Sequence, residues 1–148
     1  MASAAACELC EQDGGSVVYR DGQLRVVLVD DADYPGFCRV IWHAHVREMT
    51  DLSEAQRAHL MAVVWQVEAA LREVMLPHKV NLASLGNMTP HLHWHLIPRY
   101  PDDRHFPGPV WAGSQRDPDP SSLAQRMARL PALKEAIGRK LGQGMGAQ

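Results

Sequence analysis

The heptapeptide His91-Leu92-His93-Trp94-His95-Leu96-Ile97 alternates histidine with apolar residues, and it follows a turn-forming run at residues 86–90, Gly-Asn-Met-Thr-Pro. Alternate side chains of a β-strand share one face, so we predict a strand whose three imidazoles point one way while its apolar side chains point the other. Crowded imidazoles depress one another's proton affinity, so some should be neutral near pH 7. The stretch therefore predicts a cluster of neutral imidazoles on one face of a sheet.

Two kinds of chemistry suit such a cluster. A neutral imidazole can attack phosphorus when its second nitrogen donates to a backbone carbonyl, and its neighbours can hold phosphate oxygens or protonate a leaving group. A strand-borne pair of histidines is also a common zinc ligand geometry. A purely structural role is disfavoured, because packing does not explain three histidines at strict alternation. The residues alone leave the nucleophile and the metal site open.

Upstream of the histidines, the pattern predicts four strands and one long helix. The Asp21-Gly22 pair is typical of a hairpin turn, and Ser53 with Gln56 is typical of a capping box at a helix start. Apolar residues then recur every three or four positions up to Met75, and Pro77 ends the helix. The predicted strands are Val17–Arg20, Leu24–Asp30, Phe37–Trp42 and Lys79–Leu85, with His91–Ile97 as the fifth.

Downstream, residues 99–120 are rich in proline and charge without a regular period, which predicts a long surface loop. We expect a short helix capped by Ser121 or Ser122 and another opened by Pro131. The 148 residues have the length of one domain, 1–148, with a core at about 7–111 and a C-terminal extension at 112–148.

Composition excludes several classes of function. The chain is 46% hydrophobic and 22% charged, with a net charge of -2 and scattered basic residues, so we expect no binding of long nucleic acid. No run approaches the ~18 apolar residues of a membrane span, and no basic head precedes an apolar run at the N-terminus. We therefore expect no membrane partner and a cytoplasmic protein. The three cysteines should be thiols, and the Cys7-Glu8-Leu9-Cys10 spacing raises the question of a metal.

The histidine run resembles the signature of the histidine triad (HIT) family of nucleotide hydrolases and transferases, in particular its bacterial, diadenosine tetraphosphate hydrolase-like branch. The resemblance extends to Asn81–Asn87, to the exit Pro98-Arg99 and to the order of hairpin, strand, histidine and long helix. It implies an α+β, HIT-like fold, in which an antiparallel sheet of about five strands carries one long helix, with short C-terminal helices. It also implies a two-fold homodimer.

By this resemblance, His93 is the catalytic nucleophile that takes a nucleoside monophosphate and forms a nucleotidyl-histidine, which water then hydrolyses. His95 contacts the phosphate beside it, and His91 supports the site from its rim. The implied substrate is a purine nucleotide, either a dinucleoside polyphosphate or a nucleoside phosphoramidate. A transferase, in which a second substrate replaces water, stays open.

The resemblance also implies residues that bind substrate. Asn81 occupies a polar position one strand upstream that contacts ribose or phosphate, and Asn87 is a second candidate for it. Backbone amides at Asn87 and Thr89 would cradle the phosphate. Asp30 ends the second strand where the family places an acidic ribose contact, and a solvated turn aspartate is the other interpretation of that residue.

Relatives with an N-terminal Cys-x-x-Cys bind a structural zinc, and the implied ligands here are Cys7, Cys10, His45 and His91. His43 is an alternative to His45. Catalysis itself would require no cofactor. Two other functions compete: a zinc-dependent hydrolase that uses all three histidines of the run as ligands, and a nucleotide-binding regulator with weak catalysis.

The resemblance places His105-Phe106-Pro107 and Trp111 at a dimer interface, although these residues would equally suit a loop folded on its own core. Met61, Trp65 and Met75 are expected to widen the apolar stripe of the long helix into a dimer surface.

Overall fold

The computed structural model describes residues 6–144. It contains five strands, four α-helices and a 3-10 helix at Met49–Asp51. Along the chain these are α1 (Glu8–Glu11), β1 (Ser16–Arg20), β2 (Leu24–Leu28), β3 (Cys38–Trp42), α2 (Glu54–Met75), β4 (Lys79–Ala83), β5 (His93–Arg99), α3 (Pro120–Ala128) and α4 (Leu130–Gly144).

The strands form one antiparallel sheet in the order β1-β2-β3-β5-β4. The histidine strand β5 therefore lies between β3 and β4, where backbone hydrogen bonds on both sides fix its register. His95 pairs with Arg39 of β3 and with Ala83 of β4. The expected α+β fold, a five-stranded antiparallel sheet with one long helix and C-terminal helices, is confirmed.

The long helix begins as the capping box predicts. The Ser53 hydroxyl accepts a hydrogen bond from the Gln56 amide, and the Gln56 side chain accepts one from the Ser53 amide. These two bonds satisfy amides that a helix start otherwise leaves without partners. The helix ends when Leu76 adopts the left-handed conformation, with φ of 50°, one residue before Pro77.

The two faces of the sheet have different coverings. On one face, buried residues of every strand except β1 pack against α2 and α4. From α4, four residues join this core although they lie far beyond the histidine run: Leu133, Ala136, Ile137 and Leu141. The opposite face carries His93 and His95, and the N-terminal segment covers it in part through Leu9 packed on Val27 and Ile41.

Each predicted strand differs from the observed one by one or two residues at one end or both, and β2, for example, ends at Leu28 instead of Asp30. β5 starts at His93 instead of His91, because the Leu92 amide donates to the Val46 carbonyl and draws the preceding chain toward residues 42–46. Helix α3 is capped by the side chain of Asp119, not by Ser121 or Ser122, and Pro120 fills its first position. Within residues 6–144, no helix has the length and apolar character needed to cross a membrane.

Candidate functional site

A cavity of about 490 Å³ opens over the histidine face of β5. The rings of His93 and His95 meet edge to face there, with centroids 4.8 Å apart. The two rings therefore line the same part of the cavity. The other lining residues are Arg39 of β3, Trp111 of the long loop, and Leu85, Gly86, Asn87, Met88 and Thr89 of the β4–β5 turn.

The tautomer of His93 is set by its backbone contact. Nδ1 of His93 lies 2.5 Å from the carbonyl oxygen of His91. A carbonyl can only accept, so Nδ1 carries the proton and donates it, and Nε2 keeps its lone pair. The His93 side chain is nearly buried, with 6% exposed. This arrangement presents a neutral, oriented nucleophilic nitrogen at the cavity.

Burial keeps the imidazoles of the cavity neutral. It lowers the pKa of His93, against the opposing effect of the bond to the His91 carbonyl. Burial, together with the neighbouring His93 and Arg39, lowers the pKa of His95 to about 4. The sequence suggested neutrality from crowding of like charges, whereas desolvation is the larger cause here.

His91 does not share the cavity with the other two histidines. Its ring is buried beside the N-terminal cysteines, with Nδ1 3.4 Å from the sulfur of Cys7 and 3.4 Å from that of Cys10. Nδ1 of His45 lies 3.3 Å from the same nitrogen. The expectation of three imidazoles on one strand face fails at His91, because this residue precedes β5 and its backbone bends away from the strand.

The four ligand atoms of Cys7, Cys10, His45 and His91 all lie within 4.8 Å of one another. Zinc bonds of about 2.0–2.1 Å to nitrogen and 2.3 Å to sulfur give tetrahedral edges of about 3.3–3.4 Å between nitrogens and about 3.6 Å between nitrogen and sulfur. Four of the six distances between ligand atoms, at 3.3 and 3.4 Å, lie close to these edges. The geometry and the two-cysteine, two-histidine donor set fit tetrahedral zinc.

The tautomer of His91 also suits a metal. Nε2 of His91 lies 2.5 Å from the carbonyl oxygen of Trp42, to which it donates its proton. Nδ1 therefore carries a lone pair toward the two sulfurs and His45. A backbone carbonyl that fixes the ring of a ligating histidine is typical of zinc sites.

Arg25 holds the cysteine segment on the sheet. Its buried guanidinium donates from Nη2 to the carbonyl oxygens of Leu9, at 2.7 Å, and Gln12, at 3.0 Å, and from Nε to that of Asp13. These bonds satisfy carbonyls at the end of α1, which is too short to be stable alone. The position of Cys7 and Cys10 is thus set by a residue of β2.

The structure separates the expected substrate-binding residues into two groups. Asn87 and Thr89 line the cavity with His93. Asn81 does not line it, and its side-chain oxygen accepts a hydrogen bond of 2.8 Å from Arg99. Asp30 is exposed and also lies outside the cavity lining.

Sequence reasoning missed Arg39 as a residue of the site. The signal available was a single charged residue inside β3, whose other residues are all buried. Trp111 was assigned to a dimer interface or to the core of the loop, yet it lines the histidine cavity with 56% of its surface exposed. Its position depends on the path of the loop, which no local pattern predicts.

Comparison with known proteins identifies the family. The HIT domain model matches residues 11–102, more than half of the chain. Two curated proteins named AP-4-A phosphorylase, from two strains of Mycobacterium tuberculosis, are 28% identical over 106 residues. The match covers 67% of this chain and 53% of theirs, so the chain spans about half the length of these curated relatives.

Solved structures show the same fold. A histidine triad protein from Bradyrhizobium japonicum is 30% identical, with a TM-score of 0.68 over 86% of this chain and 91% of that one. A HIT protein from Sinorhizobium meliloti is 25% identical, with a TM-score of 0.69 over 94% and 100%. A Zn-bound HIT family protein from Mycobacterium smegmatis is 24% identical, with a TM-score of 0.58 over 90% and 99%, which shows the fold alone. The chain belongs to the HIT family of nucleotide hydrolases and transferases.

Proposed function

We propose that this protein is a nucleotidyl hydrolase in which Nε2 of His93 attacks the phosphorus of a phosphate-linked nucleotide. The observation that carries the proposal is the hydrogen bond from Nδ1 of His93 to the His91 carbonyl, which leaves the Nε2 lone pair at the cavity. The same carbonyl stabilises the positive charge that the ring acquires during attack. Asn87 and Thr89 of the turn lie beside His93, where their amides suit phosphate oxygens.

The reaction proceeds in two steps. A phosphorus–nitrogen bond forms at Nε2 of His93 while the bond from phosphorus to the leaving group breaks, and the leaving group departs with the bonding electron pair. Water then attacks the same phosphorus and loses a proton to solvent, the phosphorus–nitrogen bond breaks with its electron pair returning to Nε2, and the nucleoside monophosphate leaves. The ring returns to its starting tautomer, because its proton stays on Nδ1, hydrogen-bonded to the His91 carbonyl, throughout.

The preferred substrate in this proposal is a dinucleoside polyphosphate. A polyphosphate leaves as an anion and needs no proton, whereas an amine from a phosphoramidate must be protonated. With a pKa of about 4, His95 is a poor source of that proton at neutral pH. The relatives named AP-4-A phosphorylase support the same class of substrate. Exposed apolar side chains at the rim, Leu85, Met88 and Trp111, suit a purine base.

Transfer to phosphate is the second candidate, favoured by the word phosphorylase in the name of the curated relatives. In that reaction, inorganic phosphate replaces water in the second step, so diadenosine tetraphosphate yields ADP and ATP. Hydrolysis yields AMP and ATP.

The alternative of a zinc-dependent hydrolase loses support. Within residues 6–144, the cluster with metal-ligand geometry joins His91 to the cysteines and His45 and includes neither His93 nor His95.

The test is chromatography of products from diadenosine tetraphosphate and adenosine phosphoramidate, with and without inorganic phosphate. Wild type should release AMP from the tetraphosphate faster than from the phosphoramidate, and His93→Ala should release none. His78→Ala is the matched control, because His78 is an exposed histidine outside the cavity. Failure of wild type on both compounds, or equal activity of His93→Ala, would overturn the proposal. ADP in the presence of phosphate would replace hydrolysis with phosphorolysis.

We further propose that Cys7, Cys10, His45 and His91 hold a zinc ion whose role is structural. Zinc would supply a cross-link between the N-terminal segment and the sheet. The buried His91 ring, with its Nε2 proton held by the Trp42 carbonyl, supports this ligand set. Catalysis would require no metal, since His93 lines the cavity and is not part of the cysteine and histidine cluster.

We also propose a two-fold homodimer. Trp65 on α2 is 60% exposed, which is unusual for a large aromatic side chain on a helix that otherwise packs on the sheet. β4 is an edge strand of the sheet. Of the residues expected to widen this surface, Met61 is half-buried, whereas Met75 is fully buried in the core and cannot contribute.

A further inference from the structure

Arg39 brings a positive charge to the histidine cavity from a strand that otherwise buries its side chains. It lies in β3 directly opposite His95 in the antiparallel register. Neighbouring strands place such paired residues about 4.5–5.5 Å apart. The guanidinium lies 5.9 Å from the ring centroid of Phe37, and that ring meets His95 edge to face at 5.6 Å. Arg39 therefore stands next to His95 in the wall of the cavity.

The guanidinium has few partners within the protein. Nη1 donates to the Gly14 carbonyl at 3.3 Å, which is long for such a bond. Nε is buried and has no hydrogen-bond partner anywhere in residues 6–144. Over the same residues, Arg39 forms no salt bridge, in contrast to Arg20, Arg99, Arg104, Arg126 and Arg139.

A second nitrogen of the cavity is also without a partner. Nδ1 of His95 is buried and makes no hydrogen bond in the described part of the chain. Leaving a buried polar group unpaired destabilises a protein, and a partly buried cation without a counter-ion does so more strongly. Both groups belong to cavity-lining residues on adjacent strands, so the protein leaves this part of the wall without enough partners, and the guanidinium of Arg39 is the group there that suits an anionic oxygen.

We infer that Arg39 binds a non-bridging phosphate oxygen of the nucleotide at His93. The inference deepens the proposed function, on which it rests, by adding a residue from β3 to the phosphate site. The guanidinium offers several donors in a planar array that matches a phosphate group. The bound phosphate would act as the counter-ion that the described protein does not provide, and the attack by His93 would take place beside a fixed positive charge.

The competing explanation is that Arg39 only ties β3 to the segment at Gly14. A structural tie would affect the binding of a nucleoside and of its phosphate equally, because it would act through the shape of the cavity. A phosphate contact would affect the phosphorylated ligand alone. The two explanations therefore separate in a comparison of AMP with adenosine.

The experiment measures the affinity of AMP and of adenosine by titration calorimetry, for wild type, Arg39→Met, Arg39→Lys and Arg72→Met. Arg39→Met should weaken AMP binding on the order of 10- to 100-fold, as expected for loss of one hydrogen-bonded charge, and leave adenosine binding unchanged. Arg39→Lys keeps the charge, so its loss should be smaller. Arg72→Met removes an exposed charge outside the cavity and should change neither affinity.

Equal AMP affinity of wild type and Arg39→Met would overturn the inference, and so would parallel losses for AMP and adenosine. If wild type binds AMP no better than adenosine, Arg39 makes no phosphate contact and the inference also fails. If Arg39→Met does not fold, the lysine variant decides, because a selective loss of AMP affinity supports the contact and an unchanged affinity contradicts it. An Arg39-dependent AMP affinity in a protein that releases no nucleotide would support this inference while the proposed hydrolysis fails.

Discussion

His91 and His93 are two residues apart, yet they donate to backbone carbonyls from different ring nitrogens, Nε2 in His91 and Nδ1 in His93. Nε2 of His91 donates to the Trp42 carbonyl, which leaves Nδ1 free beside the cysteines. Nδ1 of His93 donates to the His91 carbonyl, which leaves Nε2 free at the cavity. Identical side chains thus become suited to a metal in one case and to phosphorus in the other, because the backbone selects the tautomer.

At this scale we predict that His95 stays neutral far below the ordinary histidine range. Burial is the main cause that lowers its pKa to about 4 from an ordinary value of 6.5. As pH falls below 6.5, the unfolded chain takes up the proton first, so this residue lowers the free energy of unfolding progressively until pH reaches about 4. Nitrogen-15 NMR of the His95 ring should show a neutral imidazole at pH 5.5. A midpoint for His95 at or above 6.5 would contradict this.

The alternation of histidines predicted the strand and singled out His93, but it could not predict which nitrogen each carbonyl would hold. Those carbonyls belong to residues 42 and 91, and the first comes from a different strand. Arg39 was missed for a similar reason. Its relevance arises from the pairing of β3 with β5, which is a long-range contact.

The loop at residues 100–119 is held by a buried ion pair that reaches it from the end of β5. Arg99 donates from Nε and Nη2 to both carboxylate oxygens of Asp103, at 2.8 and 3.0 Å, and these side chains are 3% and 1% exposed. Arg99 also donates to the carbonyl oxygen of Gly108, which precedes Trp111 by three residues. The Arg99–Asp103 ion pair therefore fixes the segment of the loop that places Trp111 in the lining of the cavity.

Asp103→Asn should lower the free energy of unfolding by about 3–5 kcal/mol, because it leaves a buried guanidinium without its counter-charge. Urea denaturation measures this. The neighbouring Asp102→Asn is the control, since its exposed bond to Arg126 should contribute no more than about 1 kcal/mol. Hydrogen bonds from Arg99 and from the Tyr100 amide outweigh burial and lower the pKa of Asp103 to about 2. This carboxyl therefore stabilises the fold at pH values above its ordinary pKa of 3.8, and the contribution is lost as pH falls toward 2. A loss below 1 kcal/mol for Asp103→Asn would show that the pair does not hold the loop.

Local signals predicted most elements well. The hairpin turn, the capping box and the apolar stripe act within a few residues, and all three appear in the structure. The predictions that failed depend on distant partners. His91 was placed in the strand, but its neighbour Leu92 pairs with Val46.

At the scale of the whole molecule, the four proposed zinc ligands come from three distant parts of the chain. Cys7 and Cys10 lie at the N-terminal helix, His45 follows β3, and His91 precedes β5. We expect one zinc per chain by elemental mass spectrometry, and loss of that zinc with a lower Tm in Cys10→Ser. Cys38→Ala should keep the zinc, because Cys38 is buried in the main core outside the ligand cluster. Retention of stoichiometric zinc by Cys10→Ser would rule out this ligand set.

The proposed dimer leads to a second prediction at this scale. Sedimentation velocity should give twice the chain mass for wild type, and Trp65→Glu should shift the equilibrium toward the monomer, because it places a charge in the proposed apolar interface. Met127→Glu is a control at another exposed apolar residue, one located on α3. A monomeric wild type at micromolar concentration would contradict the dimer.

The most direct measurement for the His93 mechanism is intact-protein mass spectrometry of a reaction with diadenosine tetraphosphate, stopped within the first turnover. The wild type should carry the added mass of one adenylyl group, located on His93 by peptide mapping and sensitive to acid as a phosphorus–nitrogen bond is. His93→Ala should carry none, and His78→Ala should match the wild type. Turnover without a detectable adduct, or an adduct on another residue, would contradict nucleophilic catalysis by His93.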